Sequence, residues 1–214
     1  MVVAIDGPAG SGKSTVTNII GEKLGFTKVD TGATYRCLAL KAIRNNVERE
    51  EDLIELSKNL DIEITEDKKV FLDGQEVTLD IRTNEVSNKA SFISNIVDVR
   101  KNLVELQRKM SVGKDVILEG RDTTTVVFPN AEIKIYLDAT LEERANRRFR
   151  QNKELNIEVP YEEVYKSMEA RDYNDMHKEF RALTKTEDQI YIDTTNMTLE
   201  EVVDEITNII EGEK

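Results

Sequence analysis

The chain has 214 residues, 39% of them hydrophobic and 34% charged, which is enough apolar material for a sizeable core and excludes disorder as the main state. Its 30 Lys and Arg against 42 Asp and Glu give a net charge of −12, a field of the wrong sign for general nucleic-acid binding. A single cysteine, Cys37, excludes an internal disulfide, and no apolar run approaches the ~18 residues of a membrane span.

In chain order, β and α patterns alternate. Val2–Asp6 is a short apolar run ending at Gly7-Pro8, as a buried parallel strand would. It follows Met1 with no charged segment and apolar core of a secretory signal, so a cytoplasmic location is expected. Ser14–Leu24 has helical spacing at Val16, Ile19, Ile20 and Leu24, with Gly25 placed as a C-terminal cap. Phe26–Val29 reads as a weak strand and Thr31–Arg44 as a helix. The texture then changes. Ile62–Thr65, Val70–Leu72 and Val77–Leu79 read as short antiparallel strands, separated by turns at Glu66–Lys69 and Asp73-Gly74. Helices are expected at Asn84–Ser94 and Val97–Met110, strands at Val116–Glu119 and Ile133–Leu137, and helices at Leu141–Lys153 and Tyr161–His177. A last strand at Ile190–Asp193 and a last helix at Leu199–Ile210 complete five apolar strands separated by helices. That pattern predicts an α/β fold with a mostly parallel, doubly wound sheet carrying a small antiparallel insert.

Gly7-Pro8-Ala9-Gly10-Ser11-Gly12-Lys13-Ser14 fits G-x-x-x-x-G-K-[ST] at every fixed position, after a strand and before a helix. The glycines let successive backbone N–H groups cradle phosphate, Lys13 reaches the β- and γ-phosphates, and the Ser14 hydroxyl suits Mg²⁺. The stretch is not a dinucleotide fingerprint, because the residue three past Gly12 is Thr15. No N-K-x-D guanine-reading motif accompanies it, which argues against a switch GTPase. Arginines stand at separated places beside expected loops or strand ends: Arg36, Arg82, Arg100 and Arg121, with Arg171 on a helix. Arg144, Arg147, Arg148 and Arg150 crowd one further helix, as either a reaction-centre lid or a charged solvent face. In a chain of net −12, such clustering suits transfer between two anions, which needs one set of cations on the donor and another on the acceptor.

The segments Gly7–Ser14, Asp30-Thr31-Gly32-Ala33-Thr34-Tyr35-Arg36, Asp80-Ile81-Arg82-Thr83, Gly120-Arg121-Asp122 with Val126-Val127-Phe128-Pro129, and Arg171-Asp172 with Asp175 resemble the bacterial cytidylate kinases, in order from Val2 to the final helix. The resemblance implies a five-stranded parallel-sheet P-loop kinase fold with a small antiparallel β/α insert that binds the nucleoside monophosphate, and a helical lid. Residues 1–30, 101–143 and 172–214 would form the core, 31–100 the CMP-binding region and 144–171 the lid. It implies Mg²⁺-dependent transfer of the ATP γ-phosphoryl to CMP or dCMP, with ATP held by Gly7, Pro8, Ala9, Gly10, Ser11, Gly12, Lys13, Ser14 and Thr15. Lys13, Arg36, Arg121 and Arg148 would be catalytic. Thr31, Tyr35, Arg36 and Arg121 would hold the acceptor phosphate, with Arg82 and Lys178 on the same substrate. Ser91, Arg100 and Asp122 would face the cytosine, and Arg171 with Asp175 the ribose. The expected enzyme is a cytoplasmic monomer acting on small nucleotides, with no nucleic-acid or membrane partner. Alternatives from the residues alone are a small P-loop kinase for UMP, AMP or a non-nucleotide, and a P-loop module without catalysis. His177 and Cys37 read as structural.

Overall fold

Short apolar strands build the main sheet of the computed structural model, which describes residues 1–65, 69–154, 156–177 and 183–213. β1 (Val2–Asp6), with Val3, Ala4 and Ile5 wholly buried, runs parallel to β6 (Val116–Gly120) on one side and β7 (Ile133–Asp138) on the other. β8 (Ile190–Asp193) adds in parallel to β7, and β2 (Thr27–Asp30) completes the order β2-β6-β1-β7-β8. Burial on both faces is why the inner strands β1 and β6 begin as continuous apolar runs rather than alternating ones.

Val16 and Ile20 of α1 (Lys13–Leu24) pack into one core with Val202, Val203, Ile206 and Ile210 of α8 (Leu199–Gly212) and the sheet residues Val3, Ile5, Ile117 and Ile133. α8 begins with a reciprocal capping box between Thr198 and Glu201, and α1 ends at Gly25 in the left-handed conformation. α6 (Leu141–Glu154) and α7 (Tyr161–Met176) gather Ala145, Val164 and Met168 around Ala9, in the turn after β1.

The chain divides into two compact units, residues 1–28 with 115–214 and residues 29–114. The second unit has its own core, in which Leu38, Leu53, Ile81, Ile93 and Leu103 are fully buried. They come from α2 (Thr31–Arg44), α3 (Glu50–Lys58), a 3-10 turn at Asp80–Arg82, α4 (Asn84–Ile93) and α5 (Val97–Ser111). These surround a small antiparallel sheet of β3 (Ile62–Ile64), β4 (Val70–Leu72) and β5 (Gln75–Glu76). The Asp73-Gly74 turn between β4 and β5 has both residues at positive φ, 50° and 76°, as a tight hairpin requires.

The elements differ from the sequence pattern at β5 and α3. The third small strand forms at Gln75–Glu76 instead of Val77–Leu79. The Thr78 hydroxyl takes the Val70 N–H at 3.0 Å, and the chain then coils into the 3-10 turn with Leu79 exposed. α3 was not expected, because only Leu53 and Ser57 are buried along it and so sparse a stripe hides the helical period. All of α5 lies in the second unit, which runs on past residue 100 to Lys114. Residues 66–68 of the expected Glu66–Lys69 turn lie outside the described residues.

Leu103→Ala should therefore cost about 2–5 kcal/mol of unfolding free energy, the range for a leucine removed from a filled core. A urea titration showing a loss near zero would mean that α5 does not hold that unit together.

Candidate active site

The phosphate-binding turn follows directly from β1. Gly7 has φ +152°, and a Cβ there would overlap the Leu137 carbonyl oxygen. Gly10 has φ +77°, and a Cβ there would meet the Met168 methyl at 2.8 Å. Gly12, also at positive φ, heads α1 without any side-chain cap, which leaves the helix N-terminus open to an anion. Lys13 is buried, and its Nζ donates to the Pro8 carbonyl at 2.7 Å and to Ser11 Oγ at 3.3 Å. Burial, then the Arg121 charge, hold its ammonium well below the ordinary lysine range, with Glu119 and Asp6 acting in the opposite direction. Ser14 and Thr15 are exposed at the start of the helix.

Asp6, the last residue of β1, locks the end of β6 to this turn. Its buried carboxylate accepts the Thr123 N–H at 2.9 Å, the Thr124 N–H at 2.8 Å and the Thr124 hydroxyl at 2.6 Å. Desolvation raises its pKa, and these hydrogen bonds oppose the rise. Thr123–Val127 forms one π turn, closed by Phe128 N–H on the Thr123 carbonyl at 2.8 Å. Such turns recur at functional sites. Here it follows Arg121 and Asp122. Arg121 Nε donates to Asp175 Oδ2 at 2.8 Å, and Asp122 is buried. The Arg171 guanidinium is pushed below its ordinary range by desolvation, then by Arg121, with Arg148 adding to the effect. The first unit thus brings Lys13, Arg121 and Arg171 within mutual electrostatic reach, balanced by Glu119, Asp172 and Asp175.

The four arginines of α6 divide by depth. Arg144 is buried, paired to Asp172 at 2.6 Å, and donates from Nε to the Ala139 carbonyl at 2.9 Å and from Nη1 to the Ala9 carbonyl at 3.0 Å. Arg147 donates to the Ser11 carbonyl at 3.4 Å and the Thr194 carbonyl at 2.6 Å, and pairs with Glu143. Because a trans peptide sets its C=O and N–H on opposite sides, holding the Ala9 and Ser11 carbonyls also aims the Gly10 and Gly12 N–H groups the other way. Arg148 and Arg150 are exposed, and Arg148 donates to its helix neighbour Gln151 at 2.9 Å.

In the second unit, Asp30 caps α2 by accepting the Ala33 N–H at 2.9 Å and pairs with Arg36 at 2.9 Å. Arg36 Nε is buried and has no hydrogen-bond partner among the described residues. Arg100 is buried on α5, its guanidinium 5.7 Å from the centre of the Tyr35 ring and donating to the Ser94 carbonyl at 3.2 Å. Thr31 opens α2, and its carbonyl accepts the Thr34 hydroxyl at 2.7 Å. Arg82 is exposed on the 3-10 turn and Ser91 is exposed on α4. Lys178 lies outside the described residues.

Asp6 is the residue beside the turn that sequence reasoning did not single out, whereas Arg144, Arg147 and Asp172 stood in the sequence pattern without the partners that the structure gives them. Asp6 carried a usable signal, a carboxylate at the C-terminal end of an apolar parallel strand, where α/β folds bind ligands. Among the described residues no group of three or more His, Cys, Asp or Glu side chains could hold a metal, and no helix is long and apolar enough to cross a membrane.

A family model described as cytidylate kinase matches residues 3–212. The cytidylate kinases of Alkaliphilus oremlandii and Caldanaerobacter subterraneus are 44% and 46% identical to the chain over 212 and 210 residues. These alignments cover 98% and 97% of this chain and 97% and 93% of theirs. Among solved structures, an unliganded sugar kinase from Janibacter sp. aligns over 98% of this chain and 94% of that chain, with a TM-score of 0.50 and 13% identity, a likeness of fold alone.

Arg144→Met should destabilise the protein by about 3–5 kcal/mol, since it leaves the Asp172 carboxylate buried without its countercharge. Asp172 Oδ1 has no hydrogen-bond partner among the described residues that could compensate. Thermal unfolding of the parent, Arg144→Met and Arg144→Met/Asp172→Leu measures it. The double variant should recover part of the loss.

Proposed function

The chain belongs to the cytidylate kinase family, and on that premise we propose how its residues move the γ-phosphoryl group of ATP onto CMP or dCMP. The enzyme is a P-loop nucleoside monophosphate kinase, and its products are ADP and CDP or dCDP. The observation that carries the residue assignment is the buried Lys13 ammonium at the mouth of an uncapped helix, within reach of the Arg121 charge.

ATP phosphates fit the turn from Gly7 to Thr15, where N–H groups and the α1 N-terminus attract anions. Lys13 exchanges the Pro8 carbonyl for the β- and γ-phosphates. The acceptor phosphate is bound by Arg36 and Arg121, with Thr31, Tyr35, Arg82 and Lys178 on the same substrate. The unpartnered Arg36 Nε and the Arg121–Asp175 pair support this assignment. Arg171 and Asp175 take the ribose, and Ser91, Arg100 and Asp122 take the base. Residues 144–171 are the lid region, in which Arg144, Arg147 and the Ala145, Val164 and Met168 cluster stay fixed against the phosphate turn while the exposed Arg148 closes over the donor and water is excluded. An acceptor phosphate oxygen then attacks the γ-phosphorus in line as the bond to the β–γ bridging oxygen breaks, and that oxygen leaves with ADP. The acceptor is already ionised, so no general base is required. Lys13 and the arginines stabilise charge spread over the transferred group.

The residues present suit Mg²⁺ at Ser14. Ser14 Oγ and Glu119 Oε1 already share one cation, the Lys28 ammonium, at 3.4 Å from each, and hard oxygens of this kind are what Mg²⁺ prefers. When bound with the nucleotide, Mg²⁺ would neutralise charge on the β- and γ-phosphates. Action on free nucleotides in the cytoplasm, as a monomer without nucleic acid or membrane, agrees with the acidic net charge of −12.

The test is ADP release with ATP, Mg²⁺ and a panel of monophosphates. CMP and dCMP should be turned over, and UMP and AMP should be poor acceptors. Comparable rates with UMP, AMP or shikimate would move the acceptor assignment. In the same assay Lys13→Ala should lower kcat at least about 10²-fold with the fold intact. A change within a few-fold would remove Lys13 from the chemistry.

Arg100→Met tests base choice. Cytosine offers an N4 donor beside N3 and O2 acceptors, complementing a carboxylate and a guanidinium, and uracil reverses two of those positions. Each pair is worth about 1–3 kcal/mol, so the parent should prefer CMP over UMP by roughly 10²–10⁴ in kcat/KM. The variant should narrow that ratio, and an unchanged ratio would place base recognition elsewhere.

A further inference from the structure

Lys28 lies in no part of the mechanism above, yet its Nζ sits among three side-chain oxygens at the donor end of the first unit. Asn18 Oδ1 is at 2.7 Å, Ser14 Oγ at 3.4 Å and Glu119 Oε1 at 3.4 Å. The three come from the first two turns of α1 and the end of β6, and they converge on one half-buried ammonium. A hydroxyl, an amide oxygen and a carboxylate are the ligand types that hold small hard divalent cations. An ammonium is a compact point charge on a four-carbon stem, so it can fill such a seat and swing out of it.

We propose that Lys28 is a tethered counter-ion that keeps the seat at Ser14, Asn18 and Glu119 filled in the empty enzyme, so that divalent metal enters with the nucleotide and not before it. The inference rests on the reading that Mg²⁺ accompanies ATP at Ser14, and it adds an order of events. In the empty enzyme the Glu119 carboxylate is offset by Lys28, and a free divalent ion must displace a cation already bonded to all three oxygens. With nucleotide present, phosphate oxygens supply the additional ligands and negative charge that make the exchange favourable, and Lys28 turns away toward solvent. Glu119 is then a positioning residue for the metal rather than a standing metal site. Free Mg²⁺ would not hold the turn in a metal-loaded, nucleotide-free form.

The experiment is Mn²⁺ binding to the nucleotide-free protein, read from the loss of the free-ion electron paramagnetic resonance signal. The parent, Lys28→Met, Lys28→Gln and the double variant Lys28→Met/Glu119→Gln are compared, and circular dichroism confirms that each is folded. Lys28→Met and Lys28→Gln should bind Mn²⁺ at least about tenfold more tightly than the parent, because one competing unit charge a few ångströms away has been removed. The double variant should fall back to the affinity of the parent. A Lys28 variant no tighter than the parent, or a gain that persists without the Glu119 carboxylate, overturns the proposal. Adding ATP to the parent, with retention of Mn²⁺ by the protein measured by equilibrium dialysis against ATP alone because ATP itself binds Mn²⁺, separates the two levels of the argument. A parent that takes up Mn²⁺ with ATP while the Lys28 variants gain nothing without it leaves the metal reading standing and removes Lys28. A parent that takes up no Mn²⁺ even with ATP ends both.

Discussion

A phosphoryl-transfer site has to concentrate positive charge before any phosphate arrives, and this chain does so against a net charge of −12. A buried cation left alone is costly, so each is parked on an oxygen of the protein's own. Lys13 rests on the Pro8 carbonyl, Arg36 on Asp30, Arg121 on Asp175, and Arg144 on Asp172. On the proposed assignment, substrate binding is an exchange of partners, phosphate oxygens for carboxylate and carbonyl oxygens. The net gain per contact is smaller than a bare ion pair would suggest, which allows the product, itself a polyanion, to leave.

Some of these pairs are scaffolding and others are replaceable. The Arg144–Asp172 pair is buried, and its arginine also serves two backbone carbonyls, so it belongs to the frame. Asp6 plays the same part on the other side of the turn, holding two N–H groups and a hydroxyl of the π turn that follows Arg121 and Asp122. With the carbonyls of Ala9 and Ser11 tied from behind, the turn needs little reorganisation to present its N–H groups, and such preorganisation is where electrostatic catalysis finds its advantage. The pairs of Arg36 with Asp30 and Arg121 with Asp175 are more open to solvent and can be traded for a ligand.

The main sheet and the phosphate turn were legible in the sequence because their signals are local. An apolar run followed by G-x-x-x-x-G-K-S specifies a strand, a turn and a helix start within 14 residues. The end of α1 was legible for the same reason, through Gly25. What escaped depends on contacts between distant segments. Four arginines on α6 look alike in sequence, and only packing against Asp172, Ala9 and Thr194 separates Arg144 and Arg147 from the exposed Arg148 and Arg150. Likewise α5 is rich in charge, yet Val99 and Leu103, with Leu106 and Met110 beside them, commit it to the core of the second unit. The ending of β4's partner strand turned on a single hydroxyl, Thr78, competing for one backbone N–H.

Cys37 lies on α2 with no exposed surface, and burial pushes its thiol up to about 12. At neutral pH almost none of it is thiolate, the form that reacts with maleimides and other sulfur-directed reagents. The natural chain is thus close to silent toward thiol chemistry without any residue having to be removed. A cysteine placed at an exposed position, such as Glu142 on α6 or Glu85 on α4, would carry a fluorophore or spin label alone. Paired labels at those two positions would turn the distance between α6 and α4 into a spectroscopic signal, read on the otherwise unaltered enzyme as nucleotides are added.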